Sequence, residues 1–171
     1  MNGQALTPED IAILDAESST IAGHTCKAIV VEGEPPTLEQ LRAHVACRLD
    51  RVPRCRQRLE VSPRPVWVDD PAFSIDDHVR MTPDDSPSEG LPRAVARAMS
   101  GRLERNRALW DLEVVPRLDG GRWAIVWRVH HCMADGMTMM RWATDLFWDD
   151  EVSSSAAVPK AAVPAARPPS E

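Results

Sequence analysis

The sequence predicts an α/β fold of the α+β kind, a two-layer sandwich in which a mixed, mostly antiparallel sheet carries helices packed on one face. Three observations lead to this class. Helix-start signals precede apolar residues with helical spacing, β-type runs separate these segments, and two β-rich runs are joined by a tight turn. Of the 171 residues, 43% are hydrophobic and 27% are charged, which is sufficient for a buried core.

The composition also restricts the function. A net charge of -6 and a pI near 5.4 argue against a nucleic-acid binder, whose surface would be basic. Apolar runs such as residues 28–31 are short, and the N-terminus lacks the pattern of a signal peptide. We therefore expect a cytoplasmic protein with reduced cysteines, since the four cysteines form no C-x-x-C pair.

The first third of the chain predicts a helix, a strand and a second helix. Thr7 followed by Pro8 indicates a helix start, and residues 26–31 form a β-type run. Thr37 and Gln40 have the spacing of a capping box, in which two side chains bond the free amides of a helix start. The helix that follows is indicated by an apolar stripe: Leu38, Leu41, Val45 and Leu49.

Two strands, a loop and a long helix are expected in the middle. Residues 65–68 and 78–81 are the strand candidates, and the segment 82–90, rich in Pro, Asp and Ser, predicts a loop. The helix is indicated by apolar residues spaced four apart: Leu91, Val95, Met99 and Leu103. We expect its solvated face to consist of arginines: Arg93, Arg97, Arg102 and Arg105.

The clearest local signal is a β-hairpin. Residues 109–118 and 122–130 are β-rich, and Asp119-Gly120-Gly121 between them suits a turn that needs positive φ. Alternate residues of the second run should share one face: Trp123, Ile125, Trp127 and Val129. A final helix is predicted from the spacing of four residues: Met137, Met140, Thr144 and Phe147. We assign residues 1–150 to one domain and 151–171, rich in Ala, Pro and Ser, to a linker or disordered tail.

Between the last strand and the last helix stands VHHCMADG, residues 129–136. A metal site is disfavoured, because His130 and His131 would point to opposite faces of a strand and no H-E-x-x-H pattern is present. A structural interpretation has Asp135 capping the helix and Gly136 serving the turn.

A catalytic interpretation makes a histidine the general base. An imidazole accepts a proton near neutral pH, and such a base contributes about 10²–10⁴ in rate. The chain has no Gly-x-Ser-x-Gly nucleophile motif, and Cys132 is better explained as a small apolar filler than as a nucleophile. Direct deprotonation of a substrate is then the expected chemistry. The residues alone leave the structural and catalytic interpretations open.

The pattern His-His-x-x-x-Asp-Gly is the signature of the CoA-dependent acyltransferase superfamily. More of the chain resembles one branch, the bacterial wax ester synthase/diacylglycerol acyltransferases. Four further stretches carry this resemblance: residues 6–10 with Leu14 and Asp15, residues 52–59, residues 67–73 with 77–80, and residues 108–111. In the last stretch Ala108 replaces the proline of the family's Pro-Leu-Trp element. The resemblance covers residues 6 to about 149.

This resemblance implies a fold like one half of chloramphenicol acetyltransferase. It also implies transfer of a fatty acyl group from acyl-CoA, a co-substrate rather than a bound cofactor, to diacylglycerol or a long-chain alcohol, giving triacylglycerol or wax ester. His131 would be the base, and His130 would support the turn. Asp135 would hold the loop by pairing with an arginine, and Gly136 would leave room for substrate.

Members of the family have two similar halves, and this chain resembles the first. The alternative expectation is therefore a truncated, inactive remnant, or one half of a split enzyme that acts by binding a partner domain. Peripheral contact with membranes or lipid inclusions is also possible for a lipid acyltransferase. Five arginines would contact CoA phosphates or an anionic membrane surface, or would be solvated: Arg48, Arg51, Arg54, Arg56 and Arg58.

Overall fold

The computed structural model describes residues 3–61, 63–82 and 87–148. The α-helices of these residues are α1 (Pro8–Ala16), α2 (Leu38–Ala46), α3 (Gly90–Ser100) and α4 (Gly136–Phe147). The strands are β1 (Gln4–Ala5), β2 (His24–Glu32), β3 (Gln57–Glu60), β4 (Val66–Asp69), β5 (Val79–Met81), β6 (Trp110–Leu118) and β7 (Arg122–His130). The tail predicted at 151–171 and part of the loop predicted at 82–90 lie outside the described residues.

The strands form two sheets. The larger has the order β2-β7-β6-β5, in which only β5 and β6 run parallel, so the predicted mixed and mostly antiparallel sheet is confirmed. The smaller sheet has the order β1-β4-β3 and is antiparallel. The sequence did not predict this second sheet, because its strands have only two to four residues.

Short-range signals determine several boundaries. Thr7 and Thr37 each cap a helix through the predicted kind of capping box. The hairpin between β6 and β7 turns at Gly120 and Gly121, whose φ angles are +78° and +66°. Glycine adopts this left-handed region without strain, so the predicted turn is confirmed. The strand register shifts near Pro116, which has no N–H to donate to the ladder.

The main core lies on one face of the large sheet. The alternation predicted for β7 is confirmed, since its odd-numbered residues from Trp123 to Val129 all belong to this core. Helices α2 and α4 cover them with Leu41, Val45 and Leu146.

The opposite face is covered by α3, so the prediction of helices on a single face is wrong in this detail. Ala94 and Ala98 of the helix pack on Val115, Ala124 and Val126 of the sheet. The physical reason is that the second face of β7 also presents apolar side chains, which must be buried.

Two predicted helix faces also need correction. In α4 the buried residues are Met139, Ala143 and Leu146, whereas Met137 and Met140 are 66% and 51% exposed. In α3 the buried residues are Gly90, Ala94 and Ala98. Met99 is exposed, and Leu103 is buried beyond the end of the helix. The arginines predicted to be solvated include Arg97 and Arg105, which form ion pairs with the carboxylates of Glu113 and Glu17.

Candidate active site

Strand β7 ends at His130, and a short turn leads into α4. Asp135 is the N-cap residue of this helix, and its Oδ1 accepts a hydrogen bond from the Thr138 amide at 2.6 Å. This bond lowers the pKa of Asp135 below its ordinary value, and the nearby charge of Arg141 has the same effect. Asp135 therefore fixes the entry into α4. An arginine partner, which the resemblance implies, stays a prediction.

The two histidines lie in opposite environments. His130 is 1% exposed, and burial lowers its pKa, which favours the neutral ring. Its Nδ1 accepts a hydrogen bond from the Cys132 amide at 3.2 Å, so the proton of the neutral ring belongs on Nε2. This Nε2 lies 3.5 Å from Oε1 of Glu17. A ring enclosed in this way supports the turn and does not face solvent.

His131 is exposed at the rim of a groove of about 370 Å³. Its main chain is fixed, because the N–H of His131 donates to the carbonyl oxygen of Gly23 at 2.7 Å. The groove is lined by α1 and its N-cap, a 3-10 helix at Pro53–Arg56, the smaller sheet, and the turn that leads into α4. Its residues are Thr7, Glu9, Asp10, Ile13, Arg54, Trp67, His131, Cys132, Met133, Ala134, Asp135 and Thr138. His131 is thus a solvent-accessible imidazole at the edge of this groove.

Arg54 is the cation of this groove. Its guanidinium lies 4.6 Å from the centre of the Trp67 ring, and it donates to side-chain oxygens of Gln4 at 2.6 Å and Gln57 at 2.8 Å. Among the five arginines singled out above, Arg54 lines the groove, whereas Arg56 pairs with Asp50 at the surface. Nothing in the sequence distinguishes Arg54 from the other four arginines.

The groove brings together stretches that are distant in the chain. Three of the segments on which the family resemblance rests meet the histidine motif here, through Thr7, Glu9 and Asp10, through Arg54, and through Trp67. A fourth segment supports the motif from the residue before β6, since the Leu109 carbonyl oxygen accepts a hydrogen bond from the His130 amide at 2.9 Å. These segments were recognisable in the sequence, whereas their arrangement around one groove was not.

Two other residues of the motif have clear environments. Cys132 is buried, and burial raises the pKa of its thiol to about 12, so an apolar filler explains it better than a nucleophile. A Cβ added at Gly136 would have no protein atom within 4 Å, and its φ is not in the left-handed region. The turn itself therefore does not require glycine here, and room for a substrate stays the prediction for this position.

Neither a metal site nor a membrane-spanning helix is found in residues 3–61, 63–82 and 87–148. No group of three or more His, Cys, Asp or Glu side chains is arranged there to hold a metal ion. Within the same residues, no helix combines the length and the apolar character needed to cross a bilayer.

The architecture defines the class of protein first. The wax ester synthase/diacylglycerol acyltransferase from Marinobacter aquaeolei VT8 superposes with a TM-score of 0.68 and 25% identity, over 82% of this chain and 37% of that one. The first condensation domain of the calcium-dependent antibiotic synthetase gives a TM-score of 0.68 at 18% identity, over 85% of this chain and 36% of that one. This second likeness shows the fold alone, which is the chloramphenicol-acetyltransferase-like fold that the resemblance implied.

Sequence comparison then gives the family. The wax ester synthase/diacylglycerol acyltransferase catalytic domain matches residues 6–169, and the chain belongs to this family. A probable diacylglycerol O-acyltransferase of Mycobacterium tuberculosis, tgs1, is 38% identical over 142 residues, or 77% of this chain and 30% of the relative. A second, tgs3, is 34% identical over 108 residues, or 60% of this chain and 40% of the relative. The chain thus covers less than half the length of either relative.

Proposed function

We propose that the chain supplies the histidine-bearing part of an acyl-CoA-dependent O-acyltransferase that acts on diacylglycerol or a long-chain alcohol. The observation that carries the proposal is the placement of His131, an exposed imidazole at the rim of the groove with a fixed main chain. Family membership supports the reaction class.

The chemistry needs one base and no covalent enzyme intermediate. An unprotonated ring nitrogen of His131 takes the proton from the acceptor hydroxyl as its oxygen attacks the thioester carbonyl carbon. The new C–O bond forms, the C–S bond breaks, and the CoA thiolate recovers the proton from the imidazolium. Buried His130 cannot reach a substrate, and a thiol with the raised pKa of Cys132 would be a poor nucleophile.

The groove would form one wall of a larger active site. It is open to solvent beside His131, and α4, which follows it, exposes Met137 and Met140. The matched relatives extend well beyond the stretch they share with this chain. We propose that a second domain supplies the other wall and part of the acyl-CoA and acceptor surfaces. Contact with a membrane or lipid inclusion would deliver the acceptor.

The role of His131 is tested by acyl transfer from a long-chain acyl-CoA to diacylglycerol. His131→Ala should lower kcat/KM by about 10²–10⁴ because the base is lost. His44→Ala is the matched control, since His44 lies on α2 away from the groove and should leave the rate unchanged. Equal rates for wild type and His131→Ala, both above background, would reject this role.

The second candidate function is binding of a partner domain by a part that is inactive alone, and the short coverage of the relatives favours testing it. Calorimetry of the chain with a long-chain acyl-CoA separates the two. Binding together with acyl transfer supports the enzymatic proposal, whereas the absence of both favours the partner-binding function.

A further inference from the structure

Gly23 links a buried acid to the main chain of His131. Its N–H donates to Oε1 of Glu17 at 3.3 Å, and its carbonyl oxygen accepts from the His131 amide at 2.7 Å. Glu17 is the C-cap residue of α1, and Gly23 directly precedes β2. A single residue therefore connects the end of α1 to the proposed base.

The acid is held in its charged form. Burial alone would raise the pKa of Glu17, whose side chain is only 5% exposed, but hydrogen bonds from Arg105 and the Gly23 amide outweigh burial and lower it. Arg105 donates to Oε2 of Glu17 and also to the Leu14 carbonyl oxygen at 3.1 Å. The ion pair thus closes the end of α1, the helix that lines the groove through Thr7, Asp10 and Ile13.

The same carboxylate faces the other histidine. Oε1 of Glu17 lies 3.5 Å from Nε2 of His130, the nitrogen that carries the proton in the tautomer assigned above. Gly23 packs so closely on this ring that an added Cβ would lie 2.6 Å from its Cε1 and Nε2. Glycine is needed here for close approach. Glu17, Gly23 and His130 therefore form one packed unit directly behind His131.

We infer that Glu17, charge-balanced by Arg105, is a positioning residue that sets the main chain of His131 through Gly23 and His130. This inference rests on the function proposed for His131. Glu17 does not line the groove, so it would act on the rate through the placement of the base and not through substrate binding.

The test substitutes Glu17→Gln, which keeps the shape of the side chain and removes its charge, with Glu60→Gln at an exposed ion pair as the matched control. Amide hydrogen exchange at His131 measures its positioning without any need for activity. We expect protection at His131 to fall by about tenfold in Glu17→Gln, while Trp127 in the preceding strand β7 stays protected. In the acyl-transfer assay, kcat should fall by about 10- to 100-fold with KM for acyl-CoA unchanged. The control should change none of these quantities.

Gly23→Ala gives an independent variant, since its Cβ would displace the His130 ring, and it should expose the His131 amide in the same way. Arg105→Lys keeps the positive charge and should stay nearer to wild type than Glu17→Gln. Unchanged protection at His131 in both Glu17→Gln and Gly23→Ala overturns the inference, and so does lost protection with an unchanged kcat. If the wild-type chain transfers no acyl group by itself, this result counts against activity of the chain alone and not against the role of Glu17. Hydrogen exchange then decides whether Glu17 positions His131.

Discussion

The two faces of the large sheet are built on different principles. One face, here called the tryptophan face, buries large apolar side chains, among them Trp110, Leu112 and Trp127, under α2 and α4. The other face, here called the arginine face, lies under α3 and buries Asp111, Glu113 and Arg128 beside small apolar residues. The same strands, β6 and β7, supply both faces.

On the arginine face, Arg128 connects the sheet to the end of α3. Its Nε donates to Oδ1 of Asp111 at 3.1 Å, and its Nη2 pairs with the second oxygen of the same carboxylate. Its Nη1 donates to the carbonyl oxygens of Ala98, at 2.8 Å, and Gly101. The guanidinium therefore satisfies carbonyl groups that the helix end leaves free.

The difference shows how each face depends on single residues. Apolar burial is non-directional and scales with area, so the loss of one side chain on the tryptophan face costs its own area and the cavity left behind. A buried ion pair is directional, and removal of one partner leaves an unpaired charge in the interior. We expect the arginine face to be the more sensitive to single substitutions and the less sensitive to paired ones.

The sharpest test is Arg128→Ala, which should lower the free energy of unfolding by about 3–5 kcal/mol, because buried Asp111 then keeps only its longer contact to Arg80 at 3.4 Å. The carbonyl groups of Ala98 and Gly101 lose their donor in the same variant. The paired change Arg128→Met with Asp111→Leu should recover most of this loss. Urea titration of wild type, single and paired variants measures both effects. A single variant within about 1 kcal/mol of wild type, which is the size of one hydrogen bond, would contradict the comparison. A paired variant less stable than the single one would contradict it as well.

The tryptophan face is tested by two neighbouring methionines of α4. Met139→Ala should cost about 2–5 kcal/mol, since Met139 is fully buried under this face. Met140→Ala is the matched control and should stay within about 0.5 kcal/mol, because that side chain is half exposed. The same urea titration distinguishes them. Similar losses for the two variants would mean that α4 presents a different stripe to the sheet.

The spacing of apolar residues does not determine which face of α4 is buried. Met137, Met139 and Met140 are all apolar, so α4 has more than one possible helical stripe, and the pattern chosen from Met137 and Met140 was the exposed one. The hairpin and both capping boxes were predictable because their signals lie within a few residues of each other. The arginine face is covered by α3, which ends more than twenty residues before β7 begins. The spacing of apolar residues within one segment does not indicate which face of the sheet a distant helix covers.

The candidate site was also predictable only in part. The motif located His130, His131, Asp135 and Gly136, and strand alternation indicated only that the two histidines point in different directions. The structure adds that His130 is buried and His131 exposed. The groove around them depends on long-range folding. Glu17 and Gly23 carried no signal in the sequence. The pairing of Asp111 with Arg128 does have a sequence signal, because the hairpin turn sets a register in which these two residues are directly opposite.

The contributions of the two faces to the free energy of unfolding should depend differently on pH. Glu113 is buried on the arginine face, where Thr82 donates to its Oε1 at 2.6 Å and Arg97 and Arg80 pair with it. Burial alone would raise the pKa of Glu113, but the hydrogen bonds from Thr82 and Arg97, and the charge of Arg80, lower it below its ordinary value of 4.5. Because its pKa in the folded protein is the lower one, the charged carboxylate stabilises the fold above about pH 4.5, and this contribution is lost as the pH falls through the folded value.

Glu113→Gln should therefore cost about 1–3 kcal/mol at neutral pH, where the charged hydrogen bonds are weakened, and flatten the loss of stability in acid. Thermal or urea unfolding of wild type and variant from pH 7 down to about pH 3 measures both parts. Asp50→Asn, at an exposed carboxylate paired with Arg56, is the control and should leave the acid slope near that of wild type. Met139→Ala should lower stability by the same amount at every pH, because no titrating group is removed from the tryptophan face. An acid slope for Glu113→Gln as steep as that of wild type would mean that the ion pairs under α3 do not stabilise the folded chain.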